Sequence, residues 1–314
     1  MMHERQAHLA LAKRTPHRHC LKCSKLETIA TGQDVWPAGW TCSVCGHVVE
    51  QREGISIFAP DLADTISGFD PKSFAYLARI EDKHFWFLAR NELLVGLINE
   101  FFPNASRFLE LGCGNGAVLK AVAALRNWEH IVGSDLHPTG LAFARERLPA
   151  GMSFVQMDAR HIPASGAFDL VGAFDVVEHI DDDEAVLRSM RACTSTGGGA
   201  IVAVPQHPAL WSRSDDLAYH KRRYRRGELE AKMQRSGYRT LFSSSYTATL
   251  MPMMALNRVL ARQKGDNSAV DREFEISPLV NRLLLAVLRA EVRLTLRGLR
   301  WPFGGSRVVV AQAV

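Results

Sequence analysis

Short apolar segments alternate with amphipathic ones along residues 107–204, and this alternation constrains the fold more than any other feature of the sequence. The predicted strands are 107–111, 130–135, 153–157, 168–174 and 199–204, and the predicted helices between them are 117–125, 141–147 and 183–193. Such a strand–helix rhythm predicts a mostly parallel, doubly wound α/β sheet. Ligands bind these sheets at the carboxyl ends of the strands, so the residues that follow each strand are the first candidates for a site.

The first predicted strand leads into a glycine-rich turn, Gly112–Gly116, that opens a helix. The turn fits a loose dinucleotide-binding fingerprint. Glu110 favours a different ligand, because a carboxylate beside the turn would repel a pyrophosphate but attract an ammonium or a sulfonium group. Asp135 and Asp158 follow the next two strands, where they can accept hydrogen bonds from a ribose and from an adenine amino group. Together these residues predict S-adenosylmethionine as the ligand.

Four segments resemble, in the same order, the motifs of class I S-adenosylmethionine-dependent methyltransferases of types 11 and 12: 108–116, 133–135, 157–159 and 168–180. The resemblance implies a Rossmann-like, seven-stranded sheet whose last strand is antiparallel, with 307–311 as this strand and 238–244 as its partner. It also implies a set of residues that bind the cofactor, namely Arg90, Glu110, Gly112, Gly114, Gly116, Asp135, Leu136, Asp158, Ala159 and Asp175. Arg90 lies on a helix predicted over 69–102, where it either binds the methionine carboxylate or belongs to a helix that only packs.

Two C-x2-C pairs, Cys20 with Cys23 and Cys42 with Cys45, are separated by eighteen residues. This spacing is typical of a structural zinc site with four thiolates, although one pair alone would also suit a redox dithiol. A segment this short buries too little apolar surface to fold unaided, so we expect the metal to supply its folding energy. The segment resembles the N-terminal zinc ribbons of some bacterial methyltransferases.

The predicted organisation has three parts. Residues 1–60 form the zinc-ribbon segment, 61–105 a helical linker or lid, and 106–314 the methyltransferase domain with a helical insertion at about 247–300. The insertion consists of two apolar helices, 247–262 and 277–300, that carry many arginines. Basic amphipathic helices are typical of proteins that lie on a membrane surface, but a lid, a dimer face or an outer layer explains them equally.

His179 and His220 are the predicted catalytic residues. His179 follows the fourth strand, beside the expected cofactor, and is the first candidate for a general base; otherwise it packs beneath its loop. Asp175, Glu178 and His179 also suit a divalent metal, because Mg²⁺ and Mn²⁺ accept oxygen and imidazole ligands.

His220 precedes a basic cluster, residues 221–226. Tyr219 and Tyr224 interleave with the basic side chains and would add stacking, so an anionic phosphate or carboxylate substrate is expected there. A charged, solvated helix start is the alternative.

Composition excludes several classes of protein. The chain of 314 residues is 47% hydrophobic and 23% charged, which is typical of a globular protein and not of a disordered chain. No apolar run approaches the roughly 18 residues that span a bilayer, and residues 1–6 lack the apolar core of a secretory signal. We therefore expect a cytoplasmic protein, with peripheral membrane contact through 247–300 left open.

These features predict a methyltransferase that moves a methyl group from S-adenosylmethionine to an O, N or C atom of a small-molecule, lipid-like or anionic acceptor. Two alternatives remain open. One is an RNA methyltransferase that grips nucleic acid with the zinc ribbon and the basic patches, and the other is a non-catalytic scaffold of the same fold.

Overall fold

The computed structural model describes residues 15–63, 70, 73–254 and 276–314. The strands in this part of the chain are β1 (His17–His19), β2 (Leu26–Thr28), β3 (Glu50–Arg52), β4 (Ile55–Ile57), β5 (Arg107–Leu111), β6 (His130–Asp135), β7 (Ser153–Gln156), β8 (Ala164–Ser165), β9 (Phe168–Phe174), β10 (Thr194–Pro205), β11 (Tyr238–Tyr246) and β12 (Ser306–Ala313). The helices are α1 (Pro60–Ala63), α2 (Ser73–Ile80), α3 (Phe85–Phe101), α4 (Ala117–Ala123), α5 (Pro138–Arg147), α6 (Asp183–Cys193), α7 (Arg213–Leu217), α8 (Glu228–Arg235) and α9 (Pro278–Leu296). Two short 3-10 helices, Val177–His179 and Pro208–Leu210, follow β9 and β10.

Nine strands form one mixed sheet in the order β11-β12-β10-β9-β5-β6-β7-β4-β3. The strands from β10 to β4 are parallel, and β12 lies antiparallel between β10 and β11. The predicted Rossmann-like sheet with an antiparallel last strand is therefore confirmed. The hairpin of β3 and β4, which follows the second cysteine pair, extends this sheet beyond β7.

Alternate residues of each strand pack on opposite faces of the sheet. Val308 and Val310 of β12 belong to a buried apolar cluster that includes residues of α3, α4, α5 and α9, whereas Val309 and Ala311 belong to a second cluster with α6 and α8. Helices therefore cover both faces, and the carboxyl edge of the parallel strands is the place where loops converge.

The helix predicted over 69–102 is two helices, α2 and α3, with a turn at 81–84 between them. Ion pairs to other helices hold this turn in place. Glu81 and Asp82 both bind Arg147 of α5, and Asp82 also binds Lys120 of α4. In the predicted insertion, residues 251–254 are helical, 255–275 lie outside the described residues, and α9 fills most of 277–300.

The segment that carries the paired cysteines joins the rest of the chain at two places. Strand β4 pairs with β7 in the main sheet, and β1 pairs with β8 in a separate sheet of order β2-β1-β8. The division of the chain at residue 60 stays a prediction. None of the helices within 15–63, 73–254 and 276–314 has both the length and the hydropathy needed to cross a bilayer.

Candidate active site

The glycine-rich turn between β5 and α4 brings bare backbone to the carboxyl edge of the sheet. Gly112 has a φ of +62°, and a Cβ atom there would lie 2.4 Å from Cγ2 of Val176. Gly114 and Gly116 also have positive φ angles. The Gly114 N–H donates a hydrogen bond of 2.9 Å to Oδ2 of Asp135, so the acid at the end of β6 braces the turn. The turn is therefore packed closely against Val176, with no space for a side chain at position 112.

Glu110 lies in β5, directly before this turn, and only 2% of it is exposed. Its Oε2 atom has no hydrogen-bond partner in the described part of the chain. Burial raises the pKa of Glu110 to about 8; Arg90 opposes this rise, whereas Glu81 and Asp135 add to it. A buried carboxyl group without a partner is unfavourable, and a cationic ligand would both pair it and lower its pKa.

Asp135 is the last residue of β6 and Asp158 lies two residues after β7, and Leu136 and Ala159 are their next neighbours. Burial raises the pKa of Asp135. The Arg160 guanidinium donates to the Asp158 carboxylate at 2.7 Å. Because each carboxylate oxygen has two lone pairs, both acids retain acceptor capacity for a ligand. Their role in cofactor binding stays a prediction.

Helix α2, which lies within the segment 61–105 predicted as a helical linker or lid, covers the glycine-rich turn. Atom Cε1 of Phe74 lies 3.4 Å from the Cβ position of Gly114. The Asn115 side chain donates to the Phe74 carbonyl at 2.9 Å, and Arg147 binds Glu81 at 2.7 Å. Phe74 and Glu81 are therefore candidate site residues, and no local pattern in the sequence connects them to the turn.

Arg90 and Asp175, both predicted to bind the cofactor, bind each other. The distance from Nη1 of Arg90 to Oδ2 of Asp175 is 2.6 Å. The guanidinium also lies over the Trp86 ring, 4.7 Å from its centroid. The Nε atom of Arg90 is buried and has no hydrogen-bond partner in the described chain, so Arg90 keeps a donor for a ligand carboxylate.

The two predicted catalytic histidines come together after β9 and β10. The rings of His179 and His220 are 4.8 Å apart and perpendicular. His220 Nδ1 lies 2.9 Å from Oδ1 of Asp215, which also accepts a bond of 2.7 Å from Arg223. On the other side, His220 Nε2 lies 3.9 Å from Glu178. The arrangement has the form of a histidine base oriented by a carboxylate.

Two carboxylates of this cluster have opposite environments. Although burial opposes it, the hydrogen bond from His220 and the charge of Arg223 hold the pKa of Asp215 well below its usual range. Burial and the charge of Asp175 raise the pKa of Glu178, whose oxygens have no hydrogen-bond partner among the described residues. Asp215 was missed by the sequence analysis, because a separation of five residues from His220 follows neither a helical nor a strand period.

The expectation that Tyr224 stacks on a substrate is wrong. Tyr224 is fully buried, and its hydroxyl donates to Asp183 at 2.6 Å. Arg222 binds Asp183 and Arg223 binds Asp215, so part of the basic cluster holds internal acids. Tyr219 is 42% exposed and remains accessible.

The four predicted metal ligands converge at the N-terminal end. Cys20 lies 3.6 Å from Cys45 and Cys23 lies 3.6 Å from Cys42, sulfur to sulfur. A tetrahedral zinc site with Zn–S bonds of about 2.3 Å requires sulfur separations of about 3.8 Å, whereas a disulfide requires about 2.05 Å. The N–H groups of Cys45 and Val44 lower the pKa of the Cys42 thiol, which favours the thiolate that metals bind. These residues could hold a metal ion.

Comparison with known families agrees with this geometry. Residues 109–202 match a family model described as a methyltransferase domain. Within this segment the chain is similar to methyltransferases. The match runs from within β5 into β10, and so includes the glycine-rich turn, Asp135, Asp158, Asp175 and His179.

Curated relatives of the methyltransferase domain share part of their length with this chain. A trans-aconitate 2-methyltransferase of Variovorax paradoxus is 30% identical over 105 residues, which are 33% of this chain and 40% of that protein. A ubiquinone biosynthesis O-methyltransferase of Pseudomonas aeruginosa is 32% identical over 122 residues, which are 36% of this chain and 50% of that protein. The chain thus spans half or less of these curated relatives.

Solved structures share the fold. A putative sarcosine dimethylglycine methyltransferase of Galdieria sulphuraria has a TM-score of 0.50 at 15% identity, covering 72% of this chain and 86% of its own. A complex between a methyltransferase activator and a putative methyltransferase of Haloferax volcanii has a TM-score of 0.53 at 16% identity, covering 80% and 97%.

The close packing of the glycine-rich turn leads to a prediction about the stability of the protein. We expect Gly112→Ala to destabilise the protein by about 3 kcal/mol in urea unfolding, because it adds backbone strain and a clash with Val176. Gly151→Ala is the control, since Gly151 has a φ of +99° but nothing within 4 Å of its Cβ position. It should cost about 1 kcal/mol. Equal losses would show that the contact with Val176 is unimportant.

The cysteine cluster leads to a prediction about the metal content of the protein. Elemental analysis of the purified protein should give one zinc ion per chain, and Cys42→Ser should abolish stable binding because a thiolate ligand is lost. Cys193→Ser should retain the metal, since Cys193 is a buried free thiol outside the cluster. Retention of zinc by Cys42→Ser would contradict the assignment.

Proposed function

We propose that the protein binds S-adenosylmethionine at the glycine-rich turn and transfers the methyl group to an oxygen atom of a small or lipid-like acceptor. The observation that carries this proposal is Glu110, a buried carboxyl group with an unpartnered oxygen directly before the turn. A pyrophosphate there would meet a negative or protonated acid, whereas the ammonium and sulfonium of S-adenosylmethionine would pair with it. The family of the domain supports the same ligand.

Different residues around the turn would contact different parts of the cofactor. The Gly112–Gly116 backbone and Glu110 hold the methionine part, and the donors of Arg90 suit its carboxylate. Asp135 accepts the ribose hydroxyls, and Asp158 with Ala159 holds the adenine. The bound cofactor supplies a methyl carbon made electrophilic by its sulfonium. The role of the chain is to align the acceptor with this carbon and to exclude water.

His220 is the proposed general base on the acceptor side. Because Asp215 accepts from Nδ1, the other ring nitrogen, Nε2, is left to accept a proton from an acceptor hydroxyl. Asp215 then stabilises the positive imidazolium that forms. His179 packs against the His220 ring and helps to fix its orientation. A divalent metal held by Glu178, His179 and His220 is the alternative use of the same atoms.

An oxygen acceptor is favoured by the curated relatives, which include ubiquinone biosynthesis and malonyl-[acyl-carrier protein] O-methyltransferases. An apolar acceptor is favoured by α9. On this helix Leu279, Leu283 and Leu294 are 77%, 64% and 43% exposed, and Arg282 and Arg293 are exposed beside them. Such a helix suits contact with a lipid or a membrane surface. The internal pairing of Arg222 and Arg223 gives less support to an RNA substrate.

Glu110 makes cofactor binding depend on pH. In the free protein its pKa is about 8, so at pH 7 it is mostly protonated. A bound cation lowers this pKa, so binding releases a proton, and affinity rises by at most about tenfold per pH unit up to pH 8 and then levels off. Calorimetry at pH 7 in two buffers of different ionisation enthalpy measures the released protons. Glu110→Gln should remove this release, and an unchanged release would contradict the role of Glu110.

His220 makes a catalytic prediction. With labelled S-adenosylmethionine and a panel of phenols and carboxylic acids, His220→Gln should lower kcat about 10²–10⁴-fold for hydroxyl acceptors. Cofactor affinity should not change, because His220 lies on the acceptor side. Asp215→Asn should also lower kcat, since it removes the orienting charge. His130→Gln is the control, because it makes the same change at the start of β6, at the opposite edge of the sheet. Full turnover by His220→Gln would exclude His220 as the base.

A further inference from the structure

The loop 157–163 carries Asp158 and Ala159 on the adenine side of the proposed cofactor site, and the N-terminal segment holds it at both ends. At its start, the Phe58 N–H donates to the Gln156 carbonyl at 2.8 Å. The Gln156 side chain, fully buried, exchanges two hydrogen bonds of 2.9 Å with the Ala59 backbone. The same amide donates to the Leu136 carbonyl at 3.1 Å, next to the ribose-side acid.

At the end of this loop, a single carbonyl accepts two bonds from the cysteine segment. The Pro163 carbonyl accepts from the His19 N–H at 2.9 Å and from Nε1 of Trp36 at 3.0 Å. The His19 side chain lies 3.0 Å from the Ser165 hydroxyl. Trp36 is 5% exposed and packs against Phe58 and Phe168. Both ends of the loop are therefore tied to one small unit.

The four thiols lie where they fix the geometry of this unit. Cys20 directly follows His19, and Trp36 lies between the two cysteine pairs. The N-terminal segment contributes Cys20, Trp36 and Cys42 to the same buried cluster as Met157 and Ile162 of the loop. Strands of three residues cannot hold the unit by themselves, so a metal bound by the thiols would hold the two anchors in register.

We propose that the metal-binding segment is a positioning element for the cofactor site: it holds the adenine-side loop, so the affinity for S-adenosylmethionine depends on the bound metal. Trp36 and Gln156 are the positioning residues of this connection. The inference rests on the proposed cofactor. The segment would then act on the cofactor site of the same chain, instead of binding RNA as the sequence analysis considered.

The matched pair Trp36→Phe and Trp40→Phe tests the connection. Each variant keeps an aromatic ring and loses one indole N–H bond, but Trp36 donates to Pro163 whereas Trp40 donates to Glu27 within the segment. By calorimetry, Trp36→Phe should weaken S-adenosylmethionine binding about tenfold, as expected for loss of a buried bond that orders the loop. Trp40→Phe should bind as the wild type does. Equal affinities in the two variants would overturn the proposal.

A fragment of the cofactor shows which part of the site the Trp36→Phe substitution affects. Because the loop faces the adenine, 5′-methylthioadenosine should lose affinity for Trp36→Phe by the same factor as S-adenosylmethionine. Hydrogen exchange of residues 157–163 should increase in this variant and not in Trp40→Phe. A loss confined to general stability, with unchanged exchange in the loop, would contradict a positioning role.

Metal removal from the full chain with a chelator completes the test. The metal-free protein should bind S-adenosylmethionine more weakly, and added Zn²⁺ should restore the affinity. If the zinc-loaded protein does not bind S-adenosylmethionine, the proposed function and this inference both fail. If it binds but metal removal leaves the affinity unchanged, only this inference fails. If the metal-free chain unfolds, the two tryptophan variants decide the question.

Discussion

The close approach of Gly112 to Val176 is the constraint on which the site depends. It packs the turn after β5 against the residues that follow β9, with no space for a side chain between them. Because β5 and β9 are neighbours in the sheet, this contact sets the cofactor side of the site directly against the loop that leads to Glu178 and His179. The packing of the glycine-rich turn therefore also constrains the position of the residues proposed to face the acceptor.

Buried carboxyl groups give the site its chemical character. Glu110 and Glu178 are both buried with oxygens that lack a hydrogen-bond partner in the described chain, and burial raises the pKa of each. Asp215 is the opposite case, because Arg223 and His220 keep it ionised. One edge of the sheet thus holds an acid suited to a cationic ligand and an ionised acid suited to orienting a base. This contrast supports the proposed combination of a cationic cofactor with a histidine base.

Local patterns in the sequence predicted the features that depend on local chemistry. The strands at 107–111 and 130–135, the helix at 183–193 and the convergence of the four cysteines are as expected. The antiparallel last strand, which the family resemblance implied, is also present. The features that were missed depend on contacts distant in sequence. Asp215 contacts His220 at a separation of five residues, which matches neither a helix nor a strand. Tyr224 is buried, with its hydroxyl bound to Asp183. The β3–β4 hairpin pairs with β7, which lies nearly 100 residues further along the chain. The helix predicted over 69–102 is interrupted at a turn whose Glu81 and Asp82 form ion pairs with Arg147.

The most direct test of the central claim is calorimetric titration of the zinc-loaded protein with S-adenosylmethionine, S-adenosylhomocysteine and NADH, repeated with Asp135→Ala. We expect micromolar binding of the first two ligands (~10⁻⁶ M, about −8 kcal/mol) and none of NADH. Asp135→Ala should weaken binding, because Asp135 braces the Gly114 turn and is the proposed acceptor for the ribose hydroxyls. Binding of NADH instead, or of S-adenosylmethionine with equal affinity by Asp135→Ala, would contradict the cofactor assignment.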